Sequence, residues 1–245
     1  MKSLVKSLLK CLDLEVVRLS SPIRADHRWS LNLFDLAARE LSGKLDRRMR
    51  VLQIGANDGE DEDPVKSLID DDLVEAILVE PLPIPFTRLS ERYADNPMIH
   101  PVNVAIAEEN GRNPLYVLAE KDGTVSQSFS KMATLDQNLA RKRLSAERRR
   151  LGRELDIITE FVETTKISDL LREMGWHKVD AIVVDAEGRD INIVREILDE
   201  KIDCEIIQFE SICISRRDYP VLIKSLVAAG FVTARSGFDT IAVRQ

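Results

Sequence analysis

"VLQIGANDGEDEDP", residues Val51 to Pro64, decides the fold. Val51 to Ile54 reads as a strand, Gly55 and Gly59 shape a turn, and "DPVKSLIDD" continues as a helix. A strand, a glycine turn and a helix in that order form the nucleotide pocket of open α/β sheets. The tail is unusual. Glu60, Asp61, Glu62 and Asp63 put carboxylates where a phosphate site needs bare backbone N–H groups at a positive helix end. The glycines also miss the G-x-G-x-x-G spacing of dinucleotide sites.

Outward from this stretch, apolar runs alternate with helical patterns. "EAILVEP" is a second strand and "IPFTRLSERYAD" a helix. "MIHPVNVAIA" reads as a third strand and "NPLYVLA" as an extended segment. After a polar stretch come a helix in "ISDLLREMGW", a strand in "VDAIVVDAEG", a helix in "RDINIVREILDE" and a strand in "CEIIQFESICI". Val- and Ile-rich strands without alternation belong in sheets covered on both faces. Repeated βα units predict an α/β fold, a Rossmann-like, doubly wound and mostly parallel sheet. The end differs. "YPVLIKSLVAAG" is a helix closed by Gly230, and "FVTARSG" and "FDTIAVRQ" pair through Ser236 and Gly237 as a C-terminal antiparallel hairpin. A hairpin finishing a parallel sheet is a feature of class I methyltransferases, which this layout resembles.

A chain of 245 residues with 44% hydrophobic content can bury one substantial core. A net charge of -7 argues against nucleic acid as a partner, since phosphate contacts need a basic surface. Cys11, Cys204 and Cys213 fit neither a metal knuckle nor a disulfide framework, so a cytoplasmic protein is expected. No run reaches the roughly 20 apolar residues of a membrane span. "MKSLVKSLLKCLDLEVVRL" is an amphipathic helix with two readings, contact with an anionic membrane surface or docking on protein. Docking is preferred because Asp13 and Glu15 dilute the basic face.

An acidic turn repels a diphosphate by several kcal/mol. S-adenosylmethionine carries no phosphate, and its sulfonium and ammonium are cations. Glu80, followed by Pro81, ends the second strand where a carboxylate can accept both ribose hydroxyls. Asn103 and Val104, in "VNVAI", are placed to border the adenine. The competing reading is that Gly55 and Gly59 only shape a turn, that the acids start a helix favourably, and that Glu80 is a surface charge.

The runs "VLQIGANDG", "ILVEPLP", "NVAIAEENG" with "PLYV", "SQSFSK", "VDAIVVDAEGRD" and "IIQFES", in that order, resemble the FkbM methyltransferase family. The resemblance implies S-adenosylmethionine as cofactor, held by Gly55, Ala56, Asn57, Asp58, Gly59 and Glu80. Gln53 stands where many members carry an acid. The family's K-x-D-x-E-G pattern has Val183, Asp185, Glu187 and Gly188 here, without the usual Lys. It also implies methylation of hydroxyl oxygens, often on sugars of surface polysaccharides or on natural products. The expected organisation is an N-terminal helical extension over residues 1–48 and a Rossmann-like methyltransferase domain over 49–245, with a lid-like insertion at about 120–160.

Methyl transfer is an in-line displacement aided by a base on the acceptor. Asp185, at the carboxyl end of the fourth strand, is the first candidate for that base and also a cofactor neighbour; Glu187 and Glu210 follow. Glu187 and Asp190 could instead cap the next helix or pair with Arg189. Carboxylates beside a sulfonium have a reason to be there without a metal, and none is expected. His177 and His100 read as structural, and His27 as a remote alternative base. In "LARKRLSAERRRLGREL" the arginines suit a small-molecule or glycan acceptor that is anionic, or else solvent or a second subunit in a homo-oligomer. Transfer to a nitrogen, a carboxylate or a non-sugar product, and a silent binding module, are the rival functions.

Overall fold

The structure is a computed structural model that describes residues 32–60 and 63–245. The amphipathic stretch at the N-terminus and His27 lie outside the described residues, as do Asp61 and Glu62. Residues 32–245 form one compact unit.

The apolar runs become strands because both faces find cover. β1 (Met49–Ile54), β2 (Val74–Val79), β3 (Ile99–Val102), β7 (Ala181–Val184), β8 (Ile206–Glu210), β9 (Phe231–Ser236) and β10 (Asp239–Arg244) form a sheet of order β3-β2-β1-β7-β8-β10-β9. Val51 pairs in parallel with Ala76 on one side and Ala181 on the other. β10 runs antiparallel to both β8 and β9. The doubly wound sheet and its terminal hairpin are thus as expected. Alternation sorts the side chains. Leu52, Ile54, Ile77, Ile182 and Val184 pack under Leu170 of α6 (Ile167–Glu173), Ile193 and Ile197 of α7 (Asp190–Asp199) and Leu226 of α8 (Asp218–Ala228). Met49, Val51, Leu78 and Val183 pack under Phe34 of α1 (Leu33–Ser42), Leu68 of α2 (Lys66–Asp70) and Leu89 of α3 (Pro83–Arg92). Helix α1, within the expected extension, is therefore part of this core. Its start is fixed by Asn32, whose side chain accepts the Asp35 N–H at 3.1 Å.

The expected third strand is two. β3 ends at Val102, and Ala105–Ile106 (β4) joins a second sheet of order β4-β6-β5. The break has a cause: the Asn103 amide donates to the Glu80 and Pro81 carbonyls at 2.8 and 3.0 Å, which turns the chain there. β5 (Gly111–Glu120) is the expected extended segment, and its partner β6 (Leu155–Thr165) lies within the stretch read as polar. In β6 only Leu155, Val162 and Thr164 are buried, too sparse a pattern to show as a strand. The insertion between them carries α4 (Gln127–Ser130) and α5 (Gln137–Leu151). Asp136 caps α5 by accepting the Asn138 and Leu139 N–H groups. Among the described residues no helix is long and apolar enough to cross a membrane.

Candidate active site

Open sheets leave a crevice where the strand order reverses, here between β1 and β7, with β2 on the other side of β1. The Gly55 and Ala56 N–H groups both donate to the Val79 carbonyl at 2.9 Å, and the Asp185 N–H donates to the Ile54 carbonyl at 2.9 Å. The ends of β1, β2 and β7 are thereby locked together. Gly55 has φ 86, and a Cβ there would run into the backbone carbonyl oxygen of Asp185. Asn57 also sits in the left-handed region, φ 48, which asparagine tolerates better than most residues.

Glu80 is 5% exposed and stands beneath this turn. Its Oε2 accepts the Asn57 N–H at 3.0 Å and its Oε1 the Leu82 N–H at 2.8 Å. Burial pushes its carboxyl up to about 7 against those two bonds, and Asp58 adds to the rise. Each oxygen keeps acceptor capacity. Asp58 is buried too and accepts from the Gln127 amide at 3.0 Å, so α4 of the insertion reaches the glycine turn. Gly59 packs against Leu89 and Tyr93. Asn103 does not offer its amide N–H groups to a ligand, because both go to backbone carbonyls. Val104 packs on the core beside it, and Pro81 supplies one of those carbonyls.

Two acids of the rim have protein partners of their own. Asp63 turns inward: its Oδ1 accepts the Val65 and Lys66 N–H groups at 2.7 and 3.2 Å and the Gln53 amide at 3.2 Å. Glu60 pairs with Arg92 at 2.8 Å. Asp63 therefore holds the first amides of a helix, as the alternative reading had it, and among the described residues the buried acids at the turn are Asp58 and Glu80. Gln53, 4% exposed, has no partner for its Oε1 among the described residues.

A second carboxylate group gathers at the ends of β7 and β8. Asp185 is pushed up to about 8, first by burial among protein atoms and then by Glu187, Glu210, Asp190 and Asp239. Its side chain remains open to water in the crevice, which screens part of that effect. Glu210 is pushed up to about 7, first by burial and then by Glu187, Asp190 and Asp239, and its Oε2 is buried without a partner. Asp239 joins because β10 sets it opposite Glu210, on the same face of the sheet. Glu187 takes φ 49 and carries the Arg143 guanidinium on its Oε2. Asp190 is fully buried and accepts the Ala186 and Gly188 N–H groups at 3.2 and 3.0 Å. Asp190 thus holds the turn, while Asp185, Glu187 and Glu210 line the crevice. Arg143, Asp239 and Gln127 belong to this site and were not singled out from sequence; all three arrive through nonlocal contacts.

A model of the methyltransferase FkbM domain matches residues 53–219. The chain belongs to the FkbM methyltransferase family. No curated protein matches it. A solved FkbM methyltransferase from Methylobacillus flagellatus KT is similar at 14% identity and TM-score 0.48, over 82% of this chain and 45% of that one. Aeropyrum pernix fibrillarin with natively bound S-adenosyl-L-methionine is similar at 13% identity and TM-score 0.42, over 91% of this chain and 85% of that one. The N-terminal domain of human METTL16 in complex with SAH is similar at 12% identity and TM-score 0.45, over 99% and 80%. This chain spans less than half the length of the FkbM structure it resembles.

In this FkbM chain Arg143 is the arginine of the insertion that reaches the crevice, and its neighbours on the insertion do not follow it there. Arg148 holds the Leu155 carbonyl, Arg150 pairs with Glu147 and Arg153 with Glu120, while Arg141, Lys142 and Arg149 are exposed. His100 lies on β3 beside Glu75, and His177 precedes β7; neither joins the strand ends where the acids gather.

The raised carboxyls have a thermodynamic consequence. Glu80, Glu210 and Asp185 bind protons more tightly folded than unfolded, so their stabilisation is full below about pH 4.5 and is lost as pH rises through about 7 to 8. The ligand-free FkbM protein should melt at progressively lower temperature from pH 5 to 8.5 in a calorimetric series. A melting temperature that rises across that window would contradict the ionisation scheme.

Proposed function

We propose that this protein transfers a methyl group from S-adenosylmethionine to a hydroxyl oxygen of a sugar or glycan precursor that is neutral at the reacting end. The reading is supported by the arrangement of Glu80 and Asp185 at the carboxyl ends of β2 and β7, on either side of β1. The residues fit that cofactor: Glu80 is a desolvated carboxylate with free acceptor capacity on both oxygens, suited to a ribose diol. The cofactor supplies an electrophilic sulfonium methyl. Glu80 would hold the ribose and Asp58 would disfavour a phosphate nearby, while the locked strand ends fix the backbone that carries Asp185.

Asp185 would take the proton of the acceptor hydroxyl, and the bound donor would supply the methyl group that replaces it. A carboxyl pushed up to about 8 is a stronger base than an ordinary one and is still partly ionised near neutrality. Glu187 is held by Arg143 and serves less well; Glu210, its Oε2 without a partner, is the second base. An anionic acceptor gains little here, since among the described residues the carboxylates Asp185, Glu187 and Glu210 outnumber the Arg143 guanidinium. Two exposed apolar side chains, Ile212 and Phe238, flank the same end, where the Ser211 N–H and hydroxyl both donate to the Phe238 carbonyl at 2.7 and 2.6 Å. An apolar sugar face stacks on such a rim.

One observation favours a second reading, transfer to an amine nitrogen: Asp185, Glu210 and Asp239 together would hold an ammonium. Incubation with methyl-labelled donor across neutral sugars, acidic sugars and amines separates the two. Alkali-stable label in neutral sugars is the expected result, and label in amines alone would replace it with the second reading. Calorimetry on the donor side should give S-adenosylmethionine at least about tenfold tighter than NAD, the ratio that one unfavourable contact of about 1.4 kcal/mol produces. Tight NAD binding with none of the methyl donor would end the proposal.

A further inference from the structure

Arg143 occupies an unusual place for a side chain of an inserted helix. It is 15% exposed and bonds three separate segments. One N–H group donates to the Met132 carbonyl at 2.8 Å, another to the Glu187 carboxylate, and the latter nitrogen lies 3.4 Å from the Cys213 sulfur. One turn earlier on α5, Leu139 covers Gly188, where a Cβ would strike its Cδ2. Leu139 and Arg143 are four apart, so one face of α5 seats on the turn after β7. The atoms around the guanidinium are themselves notable. A carboxylate oxygen of Glu187, one of Glu210 and the Cys213 sulfur lie within 4.8 Å of one another, a set that could ligate a borderline divalent metal.

We propose that Arg143 is a positioning residue of the acceptor site, an internal cation that fills the place a metal ion would take between Glu187, Glu210 and Cys213. The guanidinium neutralises Glu187 and holds its carboxylate against the insertion. It thereby keeps the turn carrying Asp185 to Gly188 in one arrangement, with Glu187 in its left-handed conformation. Acting through Glu187, it sets the geometry beside Asp185 without touching the acceptor. A planar cation that donates along fixed directions does this better than a mobile ion, and it needs no metal supply. The inference rests on the reading of Asp185 and its neighbours as the acceptor end of the crevice, and its test uses no methyl transfer, so the two fail separately.

The test is titration of the full-length protein with Co²⁺, following the thiolate-to-metal absorption band, on wild type, Arg143→Ala, Arg143→Lys and Arg143→Ala/Cys213→Ser. Arg143→Ala should gain a Co²⁺ site with that band, at least about tenfold tighter than wild type, because a competing unit charge at contact distance is gone. The band should vanish in the double variant, and Arg143→Lys, which restores a cation, should resemble wild type. Melting temperature and S-adenosylhomocysteine affinity identify the variants that remain folded. A thiolate band in wild type at the affinity of Arg143→Ala would overturn the proposal, as would a folded Arg143→Ala without the band. If Arg143→Ala does not fold, Arg143→Met keeps the apolar stem and faces the same two outcomes.

Discussion

Replacing Gly55 with alanine should abolish cofactor binding and lower stability by about 4 kcal/mol or more, the range of core backbone collisions. Two separate costs meet at this position. The backbone holds φ 86, where an L side chain costs about 1–2 kcal/mol. The new Cβ would also strike the carbonyl oxygen of Asp185, backbone that cannot rotate away. Relief requires β1 and β7 to part at the carbonyl of Ile54, which accepts the Asp185 N–H, or the Gly55 and Ala56 bonds to Val79 to break. Either movement opens the crevice at the point that aligns donor and acceptor. For a domain of this size each kcal/mol lowers the melting temperature by about 2–4 °C, so a fall of about 10 °C is expected. Gly237→Ala is the control: φ is 62 there, but nothing lies within 4 Å of an added Cβ. Equal melting temperatures for the two variants would show that the strand ends are not locked as described.

The sheet was readable in the chain because β1, β2 and β7 are buried on both faces, which leaves uninterrupted Val and Ile runs that only a covered parallel sheet explains. Gly230 and Gly237 marked the hairpin for an equally local reason, positive φ at a helix end and at a two-strand turn. What stayed hidden depends on partners distant in sequence. β6 pairs with β5 across the whole insertion; Phe161 and Glu163 lie on its exposed face and the exposed Glu160 shares the other face with Val162, so no clean apolar face announces it. Asp63 belongs to an acidic run, yet its carboxylate is turned onto the amides of Val65 and Lys66. Composition could not separate a helix cap from a cation-binding rim. Arg143 was one of a crowd of arginines, and its contacts with Met132, Glu187 and Cys213, with the packing of Leu139 on Gly188 one turn earlier, single it out. The likeness to the FkbM family was legible in the motifs, while the partners of each acid are seen only in the contacts.

Asp185→Asn should cost methyl transfer about 10²–10⁴-fold, the usual worth of a positioned base, while S-adenosylhomocysteine binds within a few-fold of wild type. Asparagine keeps the size and hydrogen-bonding ability of the side chain and removes its capacity to take a proton, so binding and proton transfer are separated in one substitution. The neighbouring acids grade the expectation. Glu187→Gln should lose less, because that carboxylate already serves Arg143 and its proton affinity is lowered by the guanidinium against the rise that burial causes. Glu210→Gln should fall between them, since it removes both an alternative base and a charge that raises Asp185. With that charge gone, Asp185 ionises at lower pH, and the acid limb of the rate profile should move downward in Glu210→Gln. A merely structural Asp185 would give variants that lose cofactor affinity and activity together. A base at that position gives full affinity with lost turnover, and the shift of the acid limb in Glu210→Gln ties the proton to Asp185 rather than to its neighbours.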